Sequence, residues 1–337
     1  MTKTTRRSLI AIGIAIILAL LGFAAMPKMS ASAEESSTIA ANADFGGGSG
    51  TLADPYLIYN ETQLNNIRKL AYWDYLDSCY RIASSFKLAT SIILKNTWSP
   101  IAAYFDGTFY GEGYSISDLR MEVNGATEIQ YYGLFEKIGS GTVENLTMPN
   151  ISVTYPAANT NSNIVYIGGI AGRNLGIIEN CKVSGSLEAT YLYNADIGGI
   201  TGSNDGIIRE CTNHASINGS GSIGGIAGAS WSAGNISYCT NHGSINYRWR
   251  DESRYAGGIV GSNRYGASVT NCTNCGNIAY VGPWTLLKPR ACMAQIIGWL
   301  QKGTCEFYTL EGTCDYSLLH GNQLMYCSDG AIGKKGD

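Results

Sequence analysis

Apolar and polar positions in this chain fall into short runs that never settle into a helical period. Between residues 160 and 280 one phrase returns four times: Ile167-Gly-Gly-Ile-Ala-Gly172, Ile197-Gly-Gly-Ile-Thr-Gly202, Ile223-Gly-Gly-Ile-Ala-Gly228 and Ala256-Gly-Gly-Ile-Val-Gly261. A second phrase follows each, a β-branched residue three before a cysteine: Ile178 to Cys181, Ile208 to Cys211, Ile236 to Cys239 and Val269 to Cys272. A third apolar position closes each unit at Leu187, Ile217, Ile245 and Ile278. Upstream, Ile116 to Leu119 and Val143 to Leu146 repeat the second phrase with leucine in the cysteine position, so successive units are 27, 35, 30, 28 and 33 residues apart.

A period near 30 built from short β-branched runs marks a unit too small to bury its own face, which must stack on copies of itself. The expected fold is all-β: a right-handed parallel β-helix of six or seven rungs, each with three short strands. The strands end at Gly or Asn, residues that accept the left-handed backbone of a corner. Leu119, Leu146, Cys181, Cys211, Cys239 and Cys272 form one core column. Terminal rungs need covers. Asn60-Glu-Thr-Gln-Leu64 opens a short helix whose apolar face is Leu64, Ile67 and Leu70 or Ala71, the N-terminal cap. After Ile278 the phrase decays into Ala294-Gln-Ile-Ile-Gly298, and Cys292, Cys305, Cys314 and Cys327 crowd the end, read as a degenerate rung and a cap with disulfides. The division is therefore 1–33 signal peptide, 34–55 linker, 56–100 N-terminal cap, 101–290 repeats and 291–337 degenerate rung and C-terminal cap.

The signal peptide rests on Lys3, Arg6 and Arg7 before an apolar run over 9–26, with Ala31-Ser32-Ala33 as a cleavage site. An uncleaved anchor is the alternative, since 18 apolar residues just span a bilayer. Either way the chain is read as extracellular or at the cell surface, without membrane contact beyond this segment. Composition agrees with a stacked rod. Only 15% of residues are charged and 42 are Gly, against about 25% and 7% in ordinary domains. The formal net charge is -3, which argues against a nucleic-acid partner.

Several motifs carry candidate chemistry. Cys211-Thr-Asn-His214, Cys239-Thr-Asn-His242 and Cys272-Thr-Asn-Cys275 have zinc-ligand spacing. Yet the cysteine column continues into leucines, and the Asn-His stretches read as solvent-facing corners, so no metal or cofactor is assigned. The ladder cysteines read as free thiols. Positions two before each Cys are Glu179, Arg209, Ser237 and Thr270, from which no acid column forms and no catalytic residue follows. The segment between the third apolar position and the next Gly pair varies in length while the rest keeps register. Such inserts collect on one edge, often the binding face. Tyr191, Tyr193, Tyr247, Arg248, Trp249, Arg250, Tyr255, Tyr280 and Trp284 would give that edge flat apolar surface with hydrogen-bonding tips, suited to a host or cell-wall glycan or an extracellular protein. The aromatics could instead fold back onto the solenoid flank.

Gly46-Gly-Gly-Ser-Gly-Thr51, Asp54-Pro-Tyr-Leu-Ile58, Gln63-Leu-Asn-Asn-Ile67, Trp98-Ser-Pro-Ile101, Phe105-Asp-Gly-Thr-Phe109 and the Gly-Gly-Ile-Ala-Gly repeats resemble bacterial GLUG-repeat surface proteins over residues 46–280. Tyr132-Gly-Leu-Phe-Glu136 departs from the motif by losing its final glycine. Similar repeats occur in non-catalytic regions of secreted IgA proteases. The resemblance implies a surface β-helix with an adhesive, non-catalytic role. The competing class is a secreted carbohydrate-active β-helix enzyme, a lyase or glycoside hydrolase, which would need a carboxylate cluster in a groove.

Overall fold

In the computed structural model the described residues are 44–123, 129–155, 164–190, 192, 194–248 and 255–280, with strands at Met293–Ala294, Ile297–Gln301, Thr304–Glu306, Thr309–Leu310 and Met325–Cys327 beyond them. Residues 1–43, where a signal peptide is expected, and the remainder of the C-terminal region lie outside this set. The chain winds as a parallel β-solenoid whose rungs cross four sheets in a fixed order. Sheet 1, six-stranded, takes the Val165–Ile167 strand and its equivalents; sheet 2, ten-stranded, takes Ala171–Asn174; sheet 3, nine-stranded, takes Ile177–Glu179; sheet 4, ten-stranded, takes Lys182–Ala189. In later rungs the sheet 4 strand divides in two, as at Thr212–Asn213 and Ser216–Gly219.

Register follows the repeat. Ile178, Ile208, Ile236 and Val269 pair in turn along sheet 3, and Leu187, Ile217, Ile245 and Ile278 along sheet 4, all of them buried. Burial of each is worth about 1.5–3 kcal/mol, so the ladders carry most of the drive to stack. The strands Met293–Ala294, Ile297–Gln301, Thr304–Glu306 and Thr309–Leu310 extend the four sheets by a further rung. At the front, the helix Glu61–Asn66 is capped by Asn60, whose Oδ1 accepts from Gln63 N at 3.0 Å, while Gln63 Oε1 accepts from Tyr59 N at 2.7 Å. This reciprocal pairing satisfies free amides of the first turn. Leu64 and Ile67 are buried, whereas Leu70 and Ala71 are only half-buried.

The repeat glycines have a different cause from the expected one. None of those in the four Gly-Gly phrases has a positive φ. They are there because a Cβ has no room. One added at the third glycine would lie 2.6 Å from Tyr131 Cβ at Gly172, 2.2 Å from Ile197 N at Gly228 and 2.5 Å from Ile223 N at Gly261, because the sheet 1 strand of the preceding rung lies across it. Glu136 occupies the equivalent position in the rung of Phe135, which pairs with Ala171. Sheet 1 begins at Gln130–Tyr132, so no earlier strand presses on Glu136 and a side chain fits. The left-handed backbone sits elsewhere, one residue before each core-column position: Asp118, Asn145, Asn180, Glu210, Tyr238 and Asn271 have φ of 61, 55, 47, 56, 54 and 52°.

In two of the pairs the second glycine faces a buried amide column, whereas at Gly169 the neighbour is Val183. A Cβ at Gly199 would lie 2.3 Å from Asn213 Cγ, and at Gly225 2.2 Å from Asn241 Cγ. Asn213 Nδ2 donates to Asn241 Oδ1 and Asn241 Nδ2 to Asn274 Oδ1, each at 2.8 Å. Each asparagine also closes its own turn: Asn241 Nδ2 donates to Gly243 O at 3.0 Å, and its Oδ1 accepts from Gly243 N at 3.1 Å. A second amide column, Asn174 to Asn204 at 2.8 Å, lines the corner between sheets 2 and 3. Replacing Asn241 by Ala would strip partners from several buried polar groups, each worth about 1–3 kcal/mol. Urea unfolding should show Asn241→Ala destabilised by about 3 kcal/mol or more; a midpoint equal to wild type would refute the amide column as a stabilising element.

Candidate functional site

The insert edge is built on sheet 4. Strand pleating sends Glu188, Asn218 and Asn246 outward in one column, since Leu187, Ile217 and Ile245 point inward and the pairs Glu188–Asn218 and Asn218–Asn246 are in register. Asn218 Nδ2 donates to Glu188 Oε1 at 2.5 Å. Arg248 N donates to Gly219 O at 2.7 Å, which holds the start of the next insert against the rung below. Together Glu188, Thr190, Asn218, Asn246 and Arg248 line a depression of about 290 Å³. It offers a carboxylate acceptor, two amides that donate and accept, a hydroxyl and a guanidinium. Hydroxyl groups at adjacent positions need that mixture.

Of the residues expected on this edge, Arg248 is exposed and lines the depression, and Tyr255 is half-buried. Tyr247 is a correction: it is buried, 1% exposed, because strand alternation puts it on the same inward face of Ile245–Tyr247 as Ile245. It is a core residue and cannot meet a ligand. Tyr280 pairs with Tyr247 along the backbone of sheet 4. Tyr191, Tyr193, Trp249, Arg250 and Trp284 lie outside the described residues. Glu188, Asn218 and Asn246 each open one of the variable segments, but only the aromatic residues and arginines of those segments were expected to bind, because the register that aligns the three is not visible in the sequence.

Leu119, Leu146, Cys181, Cys211, Cys239 and Cys272 are all buried in one column. Each thiol donates to the carbonyl two residues back, at 3.2–3.3 Å, spanning the left-handed residue between them. Cys79, Cys181, Cys211, Cys239, Cys272 and Cys275 are free thiols. Burial drives the pKa of Cys181, Cys211 and Cys239 well above the ordinary thiol range. His214 and His242 point the other way, exposed, with rings stacked 4.7 Å apart and 6° from parallel. The buried asparagines lie between these two side-chain sets, and among the described residues no three of His, Cys, Asp and Glu converge on a metal position.

Sheet 3 presents a charged outer face that the sequence comparison overlooked. Glu144 pairs with Glu179, and Glu179 with Arg209, so an acid column of two carboxylates does form, ending in a 2.5 Å ion pair between Glu179 and Arg209. It escaped notice because only units with cysteine were compared, and Glu144 belongs to a leucine unit. Partial burial, then the charges of Glu179 and Glu112, hold the Glu144 carboxyl above the usual carboxylate range.

These features define a parallel β-solenoid with a rigid amide-lined core and polar outer columns. Two stretches, 163–188 and 252–279, match the GLUG motif, and both lie within the parallel β-helix. A crystal structure from Bacteroides ovatus, titled as a "putative immunoglobulin A1 protease", has the same fold, with TM-score 0.56 and 19% identity over 81% of this chain and 87% of that one. A "Putative Gly-rich membrane protein" of Evansella cellulosilytica is 34% identical over 200 residues. "Halomucin" of Haloquadratum walsbyi is 35% identical over 148 residues. The matches cover 56% and 42% of this chain, but only 21% and 2% of those relatives.

Two measurements check the site assignments. In peptide-mapped thiol labelling at neutral pH, Cys79 and Cys275 should react in the native protein, and Cys181, Cys211, Cys239 and Cys272 only after denaturation; native labelling of the four would overturn the sealed column. His214 has its pKa lowered by burial, then by His242 and Lys182. An NMR titration should place its midpoint below that of an unfolded histidine, and His242→Ala should raise it. Because protonation favours the unfolded chain here, the associated stability is complete above the unfolded pKa and falls as pH drops toward the folded one.

Proposed function

We propose that this chain is an exported, non-catalytic β-helix protein of the cell surface or extracellular space that binds hydroxyl-rich ligands, glycans foremost, at the insert edge of sheet 4. The observation that carries this reading is the depression of Glu188, Thr190, Asn218, Asn246 and Arg248, with its alternation of acceptor, amide and guanidinium groups over neighbouring rungs. Rung spacing near 4.8 Å sets these groups at regular intervals along the edge. Export is supported by the basic, apolar and small-residue order of residues 1–33, and a surface location by relatives named as a membrane protein and as halomucin.

A hydrolytic or lytic activity has one observation in its favour, the stacking of Glu144 and Glu179 with Arg209 beside them. Those carboxylates project from one open sheet in the same direction, and Glu179 is already held by Arg209. A glycosidase acid and base must flank the scissile bond. The binding reading therefore takes precedence.

A glycan array probed with wild type, Arg248→Ala, Asn218→Ala, Trp249→Ala and Tyr255→Ala tests it. The wild type should give discrete signals, and the Arg248 and Asn218 variants should lose roughly tenfold or more, the loss of one to two well-placed hydrogen bonds. Equal signals from all proteins would remove the insert edge as the binding surface. Release of reducing ends from polysaccharides, abolished in Glu144→Gln or Glu179→Gln, would instead establish the enzyme.

A further inference from the structure

The corner between sheets 2 and 3 is short in most rungs: Asp205-Gly206 turns it in two residues. In the next rung residues 231–234 stand in that place, with Trp231 N donating to Asn204 O and Asn235 N to Gly206 O, each at 2.8 Å. The rung after that is lengthened again, by Tyr265-Gly266-Ala267. Both lengthened corners carry an aromatic ring, and the rings of Trp231 and Tyr265 stack 5.7 Å apart at 22°. The Arg264 guanidinium lies 4.7 Å over the Trp231 ring, its Nε donating to Ser262 Oγ at 2.7 Å.

From this corner the chain runs along sheet 3 as Asn235–Ser237 and Ser268–Thr270, paired in register. Ile236 and Val269 point inward, so Asn235, Ser237, Ser268 and Thr270 form an outer floor of small polar side chains. At the far end stands Tyr238. From Gly234 to Tyr238 the floor is therefore four residue steps, roughly 13 Å.

Tyr238 and Tyr265 share an unusual trait. Both are bulky, both are exposed, at 62% and 55%, and both adopt left-handed backbone, with φ of 54 and 56°. Glycine or asparagine fills such positions with less strain, and asparagine does so in the equivalents of Tyr238 at 145, 180 and 271. Neither exposed ring is spent on core packing.

We propose that this trough on sheet 3 is a second binding surface, for a chain of neutral pyranose sugars. The aromatic walls would stack on the apolar faces of sugar rings, and the Asn, Ser and Thr floor would exchange hydrogen bonds with their hydroxyls. The neutral class follows from the engagement of both nearby cations: Arg209 is paired with Glu179, and Arg264 is held over the Trp231 ring and by Ser262. The trough is on a different sheet from the insert edge and stands independently of the function proposed there.

Affinity electrophoresis of the full chain in native gels containing mannan, laminarin, xyloglucan or alginate tests the proposal, with Trp231→Ala, Tyr238→Gly and Tyr265→Gly as variants. At least one neutral polysaccharide should retard the wild type, each variant should need tenfold or more polysaccharide for equal retardation, and Arg248→Ala should match wild type. The glycine variants should melt no lower than wild type, because the left-handed strain is relieved. No retardation by any neutral polysaccharide, retardation by alginate alone, unchanged retardation in the variants, or a lower Tm in both glycine variants would overturn it.

Discussion

The rest of the solenoid depends on how closely two pieces of backbone approach at the Gly-Gly corner. There sheet 1 folds back across sheet 2, and the inner side of the bend meets the amide of a buried asparagine from sheet 4. An alanine at Gly225 would put its Cβ 2.2 Å from both Asn241 Cγ and Gly258 O, a separation that no side-chain rotation relieves on the backbone side. The glycines are thus a consequence of the asparagines and of the strand crossing. An amide can occupy that interior site only because four hydrogen bonds satisfy it: two to its own turn and two to its neighbours above and below. Each rung completes the polar requirements of the rung beneath, which makes stacking obligatory and holds register more strictly than apolar ladders alone.

That coupling explains which parts of the architecture were legible beforehand. The four-fold phrase, the cysteine column and the capping helix at Asn60 are periodic or local signals, and strand spacing or helix-end chemistry follows from them directly. The role of the glycines was not legible, because Gly at a corner has two explanations, positive φ and steric closeness, and only three-dimensional neighbours separate them. The left-handed residues were hidden for the complementary reason: Glu210 and Tyr238 are not residues from which a positive φ is read. Asn213, Asn241 and Asn274 were visible as Asn in corner phrases, but whether such a side chain turns outward or inward depends on the rung below.

The candidate surfaces divide along the same line. Variable insert length drew notice to Arg248, yet Tyr247, next to it, is core because strand alternation returns it to the inward face shared with Ile245. The Glu188–Asn218–Asn246 and Glu144–Glu179–Arg209 columns come from residues 28 to 35 positions apart that no local motif links. On a solenoid, a site is written across rungs, one residue in each, so its composition is legible only after register is known.

Register also separates stability from recognition in this molecule. Inward positions are committed to isoleucine, cysteine and asparagine ladders, and a change there propagates to the rungs on either side. Outward positions on the same strands bear no such load, which is why sheet 3 can carry Glu179 and Arg209 in two rungs and Ser237 and Thr270 in the next two without altering the pairing of Ile178, Ile208, Ile236 and Val269. Corners behave in the same way: the strands on either side keep their pairing while the loop between sheets 2 and 3 grows from two residues to four. A strained aromatic at such a corner persists because the core beneath over-determines the backbone. The fold therefore tolerates recognition chemistry at its corners and outer columns, and Tyr238 and Tyr265 stand where that tolerance is greatest.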